Sequence, residues 1–123
     1  KGERALLNFG HTLGHAIEKE MNFSLYHGEC VVLGMIAALN ICVELGTITA
    51  EERDDALKTF ALYEFPDHVT GIKIDDVVAV SKNDKKMDAG KVKFILLKSV
   101  GDAYIDRDIT DDQMRRALEG VIR

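Results

Sequence analysis

The stretch HGECVVLGMIAALNICVE, residues 27–44, decides the architecture of this chain. Wound as a helix it is apolar on nearly every side, and such a helix belongs in the centre of a protein. Gly46 stands just beyond it, where a glycine commonly ends a helix. Its apolar run, residues 30–43, contains Asn40 and is shorter than the ~20 residues that cross a bilayer. The sequence therefore predicts a buried central helix.

Composition and charge limit the classes of function. The 123 residues include 16 Lys and Arg against 21 Asp and Glu, a net charge of −5, and 46% are apolar. This composition is typical of one globular domain. The acidic balance argues against nucleic acid or a membrane as a partner. Cys30 and Cys42 lie in the apolar run, so we expect two reduced core thiols in a cytoplasmic protein.

The part of the chain before Pro66 has helical periodicity. A first helix is predicted over residues 2–21, ahead of the central one. A further helix is predicted over residues 49–63, where Thr49 and Glu52 form a capping box.

After the proline the pattern is mixed. Residues 75–82 favour a short helix over a strand, because Asp75 is a good N-cap. Residues 91–98 are strand-like, and residues 103–106 can pair back after a turn at residues 101–102.

A last helix is predicted over residues 110–122, where Thr110 and Gln113 repeat the capping box. The expected fold class is mainly α, with a small C-terminal β-hairpin.

The first predicted helix carries the residues that suggest a binding or catalytic function. At about 100° per residue, one stripe of it holds Arg4, Asn8, His11 and His15. A solvated helix face usually carries Lys, Glu and Gln, whereas these four side chains recognise anions or metals. A surface stripe with two incidental histidines is the alternative, and for the histidine pair alone the two interpretations are equally good.

Gly10 and Gly14 flank this stripe, although each costs ~1 kcal/mol relative to Ala inside a helix. They permit the close approach of a neighbouring helix or of a ligand. The sequence supports both interpretations equally.

His27 stands at the predicted start of the central helix, and neutral imidazole is a good metal ligand. It comes near His11 and His15 only if the chain turns back between the two helices, which the sequence permits. Two histidines with one carboxylate would make a catalytic zinc site that keeps one coordination position free. The carboxylates available are Glu18 and Glu29, and either could instead support a ligand or lie on the surface.

A lysine-rich segment covers residues 82–93, and a solvated loop is the commoner meaning of such a run. Its position between a helix and a strand would also suit contact with a phosphate or carboxylate. His68 is expected to be an exposed loop residue without a role. The sequence contains no glycine-rich dinucleotide fingerprint, P-loop or G-x-S-x-G elbow. A nucleotide cofactor would therefore bind outside this chain.

Three blocks carry a resemblance to a known family: RALLNFGHTLGHAIE (residues 4–18), YHGECVVLGM (residues 26–35) and NDKKMDAGKVKFILL (residues 83–97). In order and separation they resemble 3-dehydroquinate synthase, a sugar-phosphate cyclase, over essentially the whole chain. Glycerol dehydrogenases and iron-dependent alcohol dehydrogenases share only a looser histidine pattern.

The resemblance implies an N-terminal NAD-binding α/β domain and a mainly helical C-terminal domain, with a divalent metal, zinc or cobalt, between them. His11 and His27 match two of the three metal ligands. The third is a glutamate that would precede Lys1, so Glu18 and Glu29 are not expected to be ligands.

The same resemblance implies residues that bind substrate. Arg4, Asn8 and His15 match substrate contacts, and His15 is also the expected proton-transfer group. A lysine of the D-K-K block contacts substrate, and Lys86 is the first choice before Lys85.

The reaction implied converts 3-deoxy-D-arabino-heptulosonate 7-phosphate to 3-dehydroquinate and phosphate, in the shikimate pathway, with transient reduction of NAD. Residues 1–123 would be an incomplete C-terminal domain of a homodimeric enzyme, inactive alone and with weak or absent metal binding. The alternatives are a sister cyclase such as 2-deoxy-scyllo-inosose synthase, a metal-dependent alcohol or glycerol dehydrogenase, and a helical interaction module with incidental histidines.

Overall fold

The computed structural model describes residues 10–22, 24–82, 94–99, 102–106 and 108–123. This described part is mainly helical, with one antiparallel pair of strands, which confirms the expected fold class. Its elements in chain order are α1 (His11–Glu20), α2 (His27–Leu45), α3 (Ala50–Leu62), α4 (Ile74–Lys82), β1 (Phe94–Ser99), β2 (Asp102–Asp106) and α5 (Asp111–Leu118).

Helix α2 is the central element that the sequence predicts. Its side chains from Cys30 to Cys42 are mostly buried, with Leu33 and Ala37 fully enclosed. Gly46 ends it with a left-handed φ of 80°. At 19 residues and a mean hydropathy of 1.8, the whole helix is long and apolar enough to cross a membrane, unlike the shorter run considered above. This is weak evidence for a membrane span, because 56% of the apolar 18-residue stretch of the helix is buried inside the protein. The core helices of other proteins meet the same criterion of length and composition.

Helices α1 and α2 form a hairpin. Asn22 adopts a left-handed φ of 56° in the turn between them, a conformation that asparagine tolerates. On the apolar face of α1, Leu13, Ala16 and Ile17 are each at most 1% exposed, in a core where α1 packs against α2 and α4. The chain therefore does turn back, as the sequence only permitted.

The helix predicted over residues 2–21 is wrong at Gly10, and its residues 2–9 lie outside the described residues. Gly10 has a φ of 81° and is the N-cap of α1, so the helix begins at His11. The reason is tertiary: a Cβ on Gly10 would lie 2.5 Å from the backbone nitrogen of Met35 in α2. The close approach that Gly10 and Gly14 permit is thus helix packing, since a Cβ on Gly14 would meet the Cys30 carbonyl oxygen at 2.8 Å.

The predicted capping boxes are confirmed. Thr49 Oγ1 accepts the Glu52 N–H at 3.0 Å, and Glu52 Oε1 accepts the Thr49 N–H at 2.9 Å. Thr110 and Gln113 exchange the same two bonds at the start of α5. Helix α3 places none of its residues in the core.

Two boundaries differ from prediction. Helix α4 begins at Ile74, so Asp75 lies in its first turn and accepts a hydrogen bond from Arg115 instead of capping the helix. Helix α5 ends at Leu118 rather than near residue 122. The chain leaves the helix because Ile122 forms a parallel bridge with Val69.

Strands β1 and β2 form the predicted hairpin, with Phe94 opposite Asp106. Asp102, predicted in the turn, is instead the first residue of β2 and pairs with Ser99. Residues 91–93 of the predicted strand and residue 101 of the predicted turn lie outside the described residues.

Both faces of β1 are covered, since Phe94, Ile95, Leu96 and Leu97 are all buried. The Leu97 N–H points at Cys42 Sγ, 3.4 Å away, and so joins the hairpin to α2. Cys30 and Cys42 are buried free thiols, as expected.

Candidate functional site

The helical hairpin brings two distant histidines together. His11 is the first residue of α1 and His27 the first residue of α2. Their ring centroids lie 6.2 Å apart, with the ring planes at 82° in an edge-to-face arrangement. The fold therefore places side by side the two residues that the sequence resemblance predicts to be metal ligands.

Glu18 contacts one member of this pair, His27. It is a largely buried residue, 8% exposed, on the side of α1 that faces α2. Its two carboxylate oxygens lie 3.0 and 3.2 Å from Nδ1 of His27. A carboxylate accepts hydrogen bonds, so in the neutral imidazole Nδ1 carries the hydrogen and Nε2 keeps its lone pair.

His15 lies one turn beyond His11 on α1. Its Nδ1 is 3.7 Å from Glu18 Oε1, and its side chain is 43% exposed. The side chain of His27 is 66% exposed. The rings of His15 and His27 are thus partly exposed, while the Glu18 carboxylate beside them is largely buried.

Glu29 has a different task. Its Oε1 accepts the N–H of Tyr26 at 3.3 Å and so caps the start of α2. Of the two carboxylates that the sequence offered, Glu18 supports a histidine and Glu29 supports a helix end. In the described ranges, no three side chains among His, Cys, Asp and Glu converge to hold a metal.

The remaining predicted site residues fall outside the described residues. They are Arg4, Asn8, Lys85 and Lys86. Lys82, at the start of the lysine-rich segment, is described and pairs with Asp111 at 2.9 Å.

His68 makes its contacts with residues other than His11 and His27. Its Nδ1 is 2.7 Å from a carboxylate oxygen of Asp67 and 3.3 Å from Nη1 of Arg123. It is a partly exposed loop residue, close to the prediction.

Cys30 lies next to the site, but its thiol has low nucleophilic reactivity. Burial, with a smaller contribution from the negative charges of Glu18 and Glu29, raises the pKa of its thiol to about 11. The side chain is a neutral thiol at neutral pH, and a thiol is a poor nucleophile compared with a thiolate.

The sequence matches the family described as 3-dehydroquinate synthase C-terminal over residues 1–87. The 3-dehydroquinate synthase of Nostoc punctiforme is 40% identical over 98% of this chain and 34% of its own length. That of Acinetobacter baumannii is 37% identical over 96% of this chain and 33% of its own length. The chain thus spans about a third of the length of these curated relatives.

Solved structures agree with the fold. A 2-epi-5-epi-valiolone synthase from Streptomyces hygroscopicus, solved with NAD+ and Zn2+ bound, superposes with a TM-score of 0.81 at 26% identity. It is covered over 31% of its length by 92% of this chain. A 2-deoxy-scyllo-inosose synthase superposes with a TM-score of 0.74 at 22% identity, over 93% of this chain and 32% of its own. From the family match over residues 1–87 and these relatives, the chain belongs to the 3-dehydroquinate synthase C-terminal family.

Proposed function

We propose that the complete protein is a 3-dehydroquinate synthase and that this chain is its helical metal- and substrate-binding part. The reaction is the conversion of 3-deoxy-D-arabino-heptulosonate 7-phosphate to 3-dehydroquinate and phosphate. It comprises a transient oxidation with NAD, phosphate elimination, reduction, ring opening and aldol closure. The observation that carries the proposal is the edge-to-face pair of His11 and His27, with a buried carboxylate bonded to His27, in a chain of this family.

The residues present fit a divalent metal. Both rings can offer a nitrogen lone pair, and the Glu18 carboxylate fixes the hydrogen of His27 on Nδ1. Two histidines leave a catalytic site incomplete, so the third ligand is the glutamate that we place upstream of Lys1. When bound, the metal supplies Lewis-acid chemistry that lowers the pKa of the substrate hydroxyl.

The other residues of the chain position the substrate and move its protons. His15, one turn from His11, is the proton-transfer group of the proposal. Arg4 and Asn8 are the proposed fixed donors to the polyol and its anionic groups. Lys86, and second to it Lys85, is the proposed substrate contact of the lysine-rich segment.

NAD is assigned to the part of the protein that precedes this chain. The sequence here has no dinucleotide fingerprint, and the chain spans about a third of its relatives. The isolated chain is therefore expected to be inactive and to bind zinc weakly, since two histidines do not close a site. Tight stoichiometric zinc in the isolated chain would contradict this.

The decisive assay uses the complete protein and measures phosphate release from 3-deoxy-D-arabino-heptulosonate 7-phosphate, with NAD and Zn2+ present or withheld. We expect release that needs both cofactors and is lost in His11→Ala. His68→Ala is the matched control, because it removes a histidine of the same chain whose contacts are Asp67 and Arg123. It should keep full activity.

A sister cyclase is the second candidate. It is favoured by the 26% identical valiolone synthase, which shares the fold and is a synthase of another cyclic product. A folded complete protein that binds zinc but releases no phosphate from the heptulosonate would support this candidate. Other sugar phosphates would then be screened under the same conditions.

A further inference from the structure

We propose that Glu18 is a positioning residue that holds the imidazole of His27 in the tautomer and orientation needed to bind metal. The inference rests on the proposed function in one respect, that His27 is a metal ligand. Its basis is the pair of contacts from the Glu18 carboxylate to Nδ1 of His27, at 3.0 and 3.2 Å.

The exposure of His27 shows why such a residue is needed. Its side chain is 66% exposed, so little packing fixes the angle of the ring. A free imidazole can carry its hydrogen on either nitrogen, and only the unprotonated nitrogen can bind a metal. With Nδ1–H donated to Glu18, the ring presents Nε2 outward.

Glu18 is itself held rigidly. It lies on α1, whose apolar residues Leu13 and Ile17 pack against α2, and its side chain is 11% exposed. A buried carboxylate is costly unless it is paired or hydrogen-bonded, so the contact with His27 Nδ1 also satisfies Glu18. A support built on a packed helix orients a ligand more precisely than one on a loop.

The same carboxylate faces His15. Glu18 Oε1 is 3.7 Å from the Nδ1 of His15 and 3.2 Å from the Nδ1 of His27. One buried group thus lies between a proposed metal ligand and the proposed proton-transfer residue. Loss of the Glu18 carboxylate should weaken metal binding more than it affects His15, because the contact of Glu18 with His27 is shorter than its contact with His15.

The first test measures zinc affinity of the complete protein by competition with a chromophoric chelator. Glu18→Ala removes the acceptor, and Glu18→Met removes it while keeping side-chain volume in case the alanine variant does not fold. Both should bind Zn2+ about 10–100-fold more weakly. Glu18→Gln keeps an acceptor oxygen and should recover most of the affinity.

Glu29→Gln is the matched control. It removes a negative charge two residues from His27, but glutamine can still accept the Tyr26 N–H that Glu29 caps. We expect its zinc affinity to stay within twofold of the wild type. A loss of tenfold or more in both Glu29→Gln and Glu18→Gln would indicate a general charge effect and would overturn the positioning role.

The second test reports the tautomer without metal. In the metal-free complete protein labelled with 15N-histidine, the His27 signal, identified by its loss in His27→Gln, should show Nδ1–H in the wild type and in Glu18→Gln. In the two acceptor-free variants it should shift toward a mixture of tautomers. An unchanged tautomer and unchanged zinc affinity in both folded acceptor-free variants would overturn the proposal.

These outcomes separate the two proposals. A wild-type protein with no zinc binding and no phosphate release contradicts the proposed function, while the tautomer experiment still decides the role of Glu18. An active, zinc-dependent wild type with unaltered acceptor-free variants contradicts only the role of Glu18.

Discussion

Gly34 lies directly against Gly14 where helices α1 and α2 cross, and a Cβ on Gly34 would fall 2.5 Å from the Gly14 backbone nitrogen. This atom belongs to a helix backbone and cannot move aside as a flexible side chain can. The crossing distance of the two helices is therefore set by the absence of a side chain at this position.

The first prediction follows from that contact. Gly34→Ala should destabilise the protein by about 1–3 kcal/mol despite the better helix propensity of alanine, because the added methyl must push two helices apart. Urea unfolding followed by circular dichroism measures the change. Gly28→Ala is the control on the same helix, since nothing lies within 4 Å of its added Cβ. Equal stability of the two variants would contradict the close crossing.

The second prediction concerns Asn40, the polar residue within the apolar run of α2. Its Nδ2 donates to the Ala117 carbonyl at 2.9 Å, and its Oδ1 accepts from Arg53 at 3.3 Å, so it joins α2 to α5 and α3. Asn40→Ala should cost about 1–3 kcal/mol, because it leaves a carbonyl without its donor. Thr59→Ala, at an exposed hydrogen bond on α3, should change the free energy of unfolding by less than about 0.5 kcal/mol.

The third prediction is a pH dependence of stability. The folded protein raises the pKa of Cys30 from 9.0 to about 11, mainly through burial. Between these values the unfolded chain loses the thiol proton while the folded chain keeps it, so stability falls as pH rises, by up to about 1.4 kcal/mol per pH unit. Below pH 9 both the folded and the unfolded chain keep the proton, and the contribution of the Cys30 thiol to the free energy of unfolding is fully present.

Cys30→Ala isolates this effect. Tyr104, whose pKa rises to about 12, changes stability in the same direction but remains in both proteins. The difference between the two pH profiles from 9 to 11 thus reports Cys30 alone. Parallel profiles would show that the thiol is not held neutral by the fold.

The fourth prediction separates the role of His15 from metal binding. In the complete protein, His15→Gln should lower kcat by about 10²–10⁴-fold, as expected for the loss of a proton-transfer group. Zinc content should stay equal to that of the wild type, because His15 is not among the proposed ligands. Metal analysis and phosphate-release kinetics on one preparation check both. Full activity in a zinc-loaded variant would remove His15 from the mechanism.

Much of the fold could be predicted because it depends on neighbours in sequence. The capping box of Thr49 and Glu52 and the apolar run that ends at Gly46 act within one or two helical turns. The positions of α2, α3 and the strand pair therefore follow from local patterns.

The features that prediction missed depend on contacts between distant segments. Gly10 is compatible with a helix and with a left-handed turn, and its contact with Met35 decides between them. The end of α5 depends on the pairing of Ile122 with Val69. Likewise, Glu18 could be recognised as a candidate carboxylate from the sequence, but its bond to His27 requires the approach of α1 to α2.

The hairpin of α1 and α2 has a consequence for how the protein is made. Glu18 and His27 meet across nine residues, whereas the contact of Leu97 with Cys42 spans 55. Short loops close with a small loss of chain entropy, and contacts of low sequence separation form early in folding. On the ribosome, the histidine pair can therefore assemble while the β-hairpin is still unsynthesised. A destabilising substitution in the β-hairpin would then shorten the time for which the histidine pair stays assembled, without preventing the pair from forming.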